Sequence, residues 1–169
     1  MREQPIFTET IGRVTVEYWS DYDHGLPCKE YDGNVDIYEH SGLDYKKPSE
    51  RLFRVDRTLW AYDHAEAVRI ARRDGWGIEK AEGLTPGQIA EAAVLQNVAF
   101  QRGFLDDQWG YVGIVCKMGD AEDSCWGFET YKDYHLEAAR DMAAQLELSV
   151  SREQAEAQYW ADRDVVTTA

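Results

Sequence analysis

Apolar and polar positions alternate along "RVTVEYW", residues 13 to 19, with Val14, Val16 and Tyr18 on one side. A period of two is what a half-buried strand requires, so a first strand is expected here. Gly25, Pro27 and Gly33 then punctuate a polar stretch. After them "NVDIYEH" sets Val35, Ile37 and Glu39 against Asp36, Tyr38 and His40 as a short second strand. Beyond a loop over 43 to 50, "RLFRVDRTLW" places Phe53 and Val55 on one side and Leu52, Arg54 and Asp56 on the other, and reads as a third strand.

The period then lengthens. Asp63 followed by Glu66 three residues later is the signature of a capped helix start, because a short acceptor side chain can take the orphan amide protons of the first turn. A helix is expected from about Ala65 to Asp74, with Arg72 and Arg73 at its negative end and Gly75 free to take the left-handed stop. "TPGQ" opens a second helix: Thr85 caps, Pro86 fills the first position where a missing N–H costs nothing, and Gln88 closes the box. Its body, "IAEAAVLQNVAFQRG", is apolar over most of its circumference, which predicts a central position.

From Trp109 to Met118, "WGYVGIVCKM" is short, aromatic and β-branched, and it returns through "GDAED" into "SCWGFE". A hairpin is expected, and pairing symmetric about that turn would set Cys116 opposite Cys125, both buried and reduced. Thr130 and Asp133 are candidate caps of a third helix with the stripe His135, Ala138, Ala139, Met142 and Leu146. A fourth helix is expected from Ser151, with Gln154 three later, and residues 163 to 169 are expected to fray. The order predicts an α+β fold, a mainly antiparallel sheet of about five strands with three to four helices packed against it, in one domain over 1–169. The chain shows no internal repeat beyond a short Tyr-acid-His echo.

Composition supports a packed chain: hydrophobic content is 44%, with six Trp, ten Tyr and four Pro in 169 residues. Three cysteines, Cys28, Cys116 and Cys125, form neither a disulfide framework nor a zinc knuckle, so a reducing cytoplasm is the expected compartment. No apolar run reaches the length of a signal peptide core or a membrane span. The charge changes the picture most. Eighteen Lys and Arg against 32 Asp and Glu give −14, which opposes direct binding to nucleic acid or anionic lipid and admits a basic partner. Residues 17 to 50 hold nine acids and three bases, as do residues 105 to 141, so each block is −6 around a near-neutral middle.

Three of the four histidines stand beside an acid, as Tyr22-Asp23-His24, Tyr38-Glu39-His40 and Tyr62-Asp63-His64, and His135 follows in Asp133-Tyr134-His135. Imidazole and carboxylate could ligate zinc or iron, but spacings of 16 and 24 residues carry no local ligand geometry. No metal or cofactor is expected. His135 lies on an apolar stripe, as a core-edge residue would, and could also sense pH. Asp32, Asn34 and Asp36 imitate the start of a calcium loop, yet Ile37 and Leu43 occupy its glycine and glutamate positions. Cys28 beside Lys29 is a candidate nucleophile without a partnering base in any signature, and phosphate-loop, zinc-protease and serine-hydrolase motifs are absent.

What remains is a set of acids interleaved with Tyr and Trp: Asp21, Asp23, Asp32, Asp36, Glu39 and Asp44 in the first block, Asp106, Asp107, Asp120, Glu122 and Asp123 in the second. Carboxylates among aromatic rings can engage Arg and Lys by ion pairs and cation–π contacts, as a surface imitating phosphate would. The alternative is that most of these rings are core residues at alternate strand positions.

The helix opening at Gln88 to Ala92, the strand Trp109-Gly-Tyr111-Val112-Gly113-Ile114-Val115, an acidic turn, Ser124-Cys-Trp126-Gly127-Phe-Glu129 and a closing helix over Tyr131 to Leu148 follow one another in order. Over residues 60 to 148 this arrangement resembles a group of small accessory proteins of phages and mobile elements. The resemblance implies genomic company in which inhibitors of host defence are common. The expected function is therefore a non-enzymatic, anti-defence inhibitor of the anti-CRISPR or anti-restriction kind, a DNA mimic that binds a basic nucleic-acid-binding protein in the host cytoplasm. Two alternatives stand beside it. One is a metal-dependent hydrolase or nuclease using His24, His40 or His64. The other is a homo-oligomeric scaffold, possible as a homodimer, in which the Arg-rich segment Arg51 to Arg73 meets an acidic face of a second copy.

Overall fold

The computed structural model of the protein describes residues 4–27, 33–42, 46–77 and 82–167, with side chains to residue 161. Its strands are β1 (Phe7–Ile11), β2 (Val14–Ser20), β3 (Tyr38–Glu39), β4 (Glu50–Val55), β5 (Thr58–Asp63), β6 (Tyr111–Met118) and β7 (Ala121–Glu129). The α-helices among the described residues are α1 (His64–Asp74), α2 (Pro86–Leu105) and α3 (Tyr134–Thr167). Strands pair antiparallel throughout, as a four-stranded sheet β1-β2-β6-β7 and a three-stranded sheet β3-β5-β4, so the α+β class stands with its strands divided over two sheets. Contacts gather in two compact units, one of residues up to Asp23 with those from Gly110, the other His24–Trp109 inserted between β2 and β6.

In the first unit Val14, Val16 and Tyr18 alternate inward from β2, as their period predicts, and meet Ile114 and Cys116 of β6. Ala139, Ala143 and Leu146 of α3 close this core from one side of the sheet. The strand β1 was not expected; a tight turn at Gly12, with φ 61°, folds "FTETI" back onto β2. Arg13 in that turn binds Glu147 at 2.7 Å and the Ser151 hydroxyl at 2.9 Å, fastening the turn to α3. The two terminal helices are in fact one. No Gly or Pro interrupts 134 to 167, and the Ser151 hydroxyl donates to the Glu147 carbonyl inside the helix instead of capping a new one. Thr130 also does not cap, since its hydroxyl accepts the Gly110 N–H at 3.0 Å.

In the inserted unit the helix signals hold in detail. Asp63 accepts the Glu66 N–H and Gly75 takes φ 70° with its N–H on the Ala71 carbonyl; Thr85 and Gln88 form the reciprocal box. The helix α2 is not central. It buries one face, Ala90, Val94, Gln101 and Gly103, while Leu95 is exposed, because most outward apolar positions are alanines that cost little in water. The segment expected as one strand over 51 to 60 is a hairpin. Asp56 adopts φ 49° and turns β4 into β5, a conformation Asp tolerates better than most residues other than Gly and Asn. Val35, Ile37, Val55, Trp60 and Tyr62 form the core with Ala67, Ala71, Ala90 and Val94.

Candidate interaction surface

The hairpin β6–β7 turns through Gly119 and Asp120, tighter than expected, so Cys116 pairs with Asp123 and Ile114 with Cys125. The two cysteines are therefore not opposite: Cys116 is buried, which pushes its thiol pKa up, and Cys125 is exposed. The register slips between Val112 and Ile114, where Trp126 and Gly127 stand opposite the single residue Gly113. At this bulge the Trp126 ring lies directly against Gly113, where a Cβ would overlap the indole. Gly127 takes φ 85° and donates its N–H to Asp21 Oδ2 at 3.0 Å.

Trp126 is 51% exposed, on the sheet face opposite α3. Beside it Trp19 pairs with Gly113 and donates its indole N–H to Glu17 Oε2 at 3.1 Å. Lys117 Nζ reaches the same oxygen at 2.8 Å and holds the Glu17 carboxyl below its ordinary range. Among the described residues of this unit no helix covers that face. Acids stand at both ends of the sheet, Asp21 and Asp23 after β2, and Asp120, Glu122 and Asp123 at the far turn; eight residues of β6 separate the ends by about 24 Å at 3.4 Å per residue. Asp23, Asp120, Glu122 and Asp123 are exposed, whereas Asp21 is engaged with Gly127 and with the Asp23 N–H at 3.2 Å.

The remaining candidate acids belong to the inserted unit. Asp36 and Glu39 are exposed near β3. Asp106 ends α2, its N–H on the Arg102 carbonyl and its carboxylate 3.6 Å from the Arg102 guanidinium, and Asp107 follows at φ 55°. Asp32 and Asp44 lie outside the described residues, as does the candidate nucleophile Cys28. The acid set is thus distributed over both units.

Tyr22 and Asp23 of the first histidine triplet are exposed, whereas the histidines of the other two are held against protein groups. His40 Nδ1 accepts the Gly42 N–H at 3.0 Å, which in the neutral ring leaves the proton on Nε2, 3.7 Å from Glu50 Oε2. Both sides of the imidazole are therefore turned to protein groups. Tyr38 donates its hydroxyl to the other oxygen of Glu50. That bond, then burial, pushes Tyr38 up to about 12. His64 Nε2 lies 3.5 Å from Glu91, and Asp63 is spent on capping. In the first unit, burial lowers the His135 pKa, and its ring meets Tyr18 edge-on at 5.9 Å. Among the described residues no group of three His, Cys, Asp or Glu is placed to share a metal ion.

One functional-looking set escaped the sequence. Asn97 and Gln101 of α2 grip the segment before β3: the Val35 N–H donates to Asn97 Oδ1 at 2.8 Å, and the Gln101 amide donates to the Val35 carbonyl at 2.7 Å. Asn34, a member of the calcium-loop pattern, completes the network with Asn97 and the Pro27 carbonyl. No helix is long and apolar enough to cross a membrane among the described residues. No family model matches the chain, and no curated protein or solved structure does.

Proposed function

We propose that the protein is a non-enzymatic, acidic interaction protein that binds a basic nucleic-acid-binding protein, in its sharpest form an anti-defence inhibitor carried by a phage or mobile element. The observation that carries the reading is the exposed Trp126, set against Gly113 on the sheet face opposite α3, with the exposed acids Asp23, Asp120, Glu122 and Asp123 at the sheet ends. Rigid aromatic anchors inside a charged rim are what partner-binding surfaces use. A net charge of −14 selects a basic partner and repels nucleic acid itself. The likeness to mobile-element accessory proteins in the hairpin region supports the anti-defence form.

Capture from bacterial lysate on the immobilised protein, followed by competition with duplex DNA for the captured protein, tests this. The expected result is a basic DNA- or RNA-binding protein released by excess nucleic acid. Simultaneous binding of both ligands without competition would remove the mimic.

A further inference from the structure

The first unit contains a cavity of about 260 Å³ on the α3 side of its sheet. An apolar cavity of about 150 Å³ already accepts benzene, and drug-sized ligands need upwards of about 300 Å³, so this space suits one ring with a short substituent. Ile6 and Phe7 form one wall, Tyr18 and Val112 the sheet side, and Leu136 of α3 the other. The first wall is fixed in place, because the Ile6 N–H donates to the Tyr18 carbonyl at 2.8 Å and Phe7 pairs with Tyr18. Even so, Ile6 is 61% and Phe7 57% exposed, two large apolar side chains held over a space that no other described residue fills.

The polar groups of the cavity narrow its ligand. Thr130 is spent, its hydroxyl accepting the Gly110 N–H at 3.0 Å and donating to the Gly110 carbonyl at 3.3 Å. The Tyr18 hydroxyl donates to Glu9 Oε1 at 2.6 Å. His135 is what remains: Nδ1 is buried without a partner, and Nε2 makes no hydrogen bond among the described residues. Burial lowers its pKa, so the ring is neutral, and Asp133, which acts on it, is exposed to water. No Asp, Glu, Lys or Arg is among the described residues lining the cavity, so neither an anion nor a cation gains an ion pair there. Three rings meet around it at different tilts, Phe7 to Tyr18 at 5.7 Å and 34°, Tyr18 to His135 at 5.9 Å and 84°. Such walls offer a further ring both stacked and edge-on contacts. A neutral imidazole presents either a proton or a lone pair at Nε2, and a hydroxyl answers both, since it donates and accepts.

We propose that this cavity binds a small uncharged phenol, with its ring between Ile6, Phe7 and Leu136 and its hydroxyl on His135 Nε2. The site is separate from the Trp126 surface, which is on the other face of the sheet, so its failure leaves the acidic-binder reading untouched. Titration of the full chain with p-cresol, followed by NMR at the Tyr18 ring protons, should give a saturable shift. Toluene, the same ring without the hydroxyl, should bind about three- to tenfold more weakly, the scale of one hydrogen bond, and benzoate should give no saturable shift. In His135→Phe the preference for p-cresol over toluene should vanish while toluene still binds. Ile6→Ser, a change at an exposed position, should weaken both probes alike. No saturation with p-cresol, equal affinity for toluene in the wild type, saturable benzoate binding, a preference that survives His135→Phe, or indifference to Ile6→Ser overturns the assignment. Tighter binding of N-acetyl-tyrosine amide than of p-cresol would make the occupant a partner's tyrosine and overturn a free phenol.

Discussion

Trp126 rests its indole against the backbone of Gly113, and no residue with a Cβ can occupy position 113 without moving that ring. The sheet pairing offers the ring no equivalent seat, because the bulge at Gly127 sets where it lies. Gly113→Ala should cost about 1–3 kcal/mol, the range for forcing a methyl group into an occupied site. In the double variant Gly113→Ala with Trp126→Ala, most of that added cost should vanish. Urea denaturation of the two single variants and the double variant checks this; strictly additive losses would mean that the two residues do not meet.

Tyr38 and Glu50 form a similarly committed pair. Tyr38→Phe removes the donor to a buried carboxylate and should lower stability by about 1–3 kcal/mol. The Tyr38 pKa is raised from 10.0 to about 12, so the folded state holds this proton more tightly than the unfolded chain. The resulting stabilisation is fully present below pH 10 and is lost as pH rises through about 12. Tyr18 and Tyr62 shift in the same direction, so the measurement is a difference: between pH 10 and 12 the gap between wild type and Tyr38→Phe should narrow. A gap that stays constant over that window would contradict the bond.

His135 governs the opposite limb. Burial lowers its pKa below 6.5, with Asp133 pulling weakly the other way, so the unfolded chain takes up the proton first. Stability should be independent of this group above pH 6.5 and fall as pH drops below that value toward its lower folded pKa. The depressed carboxylates Glu17 and Asp63 act only in a more acid window, below about 4.5 and 3.8. His135→Phe should therefore flatten the decline between pH 6.5 and 5 in thermal melts, and an unchanged slope would place the ring in water.

The long helix α3 contributes unequally along its length. Ala139, Ala143 and Leu146 are buried and Val150 packs on the same core, but residues 152 to 161 are all exposed. Truncation after Arg152 should shift unfolding free energy by no more than about 0.5 kcal/mol, as for surface changes in general. A loss well above that value in a melting experiment would contradict a small contribution from these exposed residues.

The parts of the fold legible in the sequence are those where a local rule acts alone. Asp63, Gly75, Thr85 and Gln88 cap and stop their helices through contacts within four residues, and Val14, Val16 and Tyr18 need only a period of two. Legibility failed where a turn lacked its usual residue, as at Asp56, or where pairing symmetry was assumed around a turn that proved to be two residues long, as at Gly119 and Asp120. The site was less visible still. Sequence spacing could not bring Tyr18 to His135, nor Tyr38 and His40 to Glu50, because tertiary pairing makes those meetings. The Trp-Gly hairpin pattern carried a readable signal, but its meaning, a ring laid on a glycine, required the bulge.

The binding reading depends on exposed charge around Trp126, and the affinity for the captured basic partner as a function of salt tests it most directly. Between about 50 and 200 mM salt the affinity should fall at least about tenfold, because contacts among exposed charges are screened. Combined Asp120→Lys, Glu122→Lys and Asp123→Lys should weaken binding further at low salt and flatten the salt dependence. An affinity unchanged by salt and by this charge reversal would contradict an electrostatic contact at this surface.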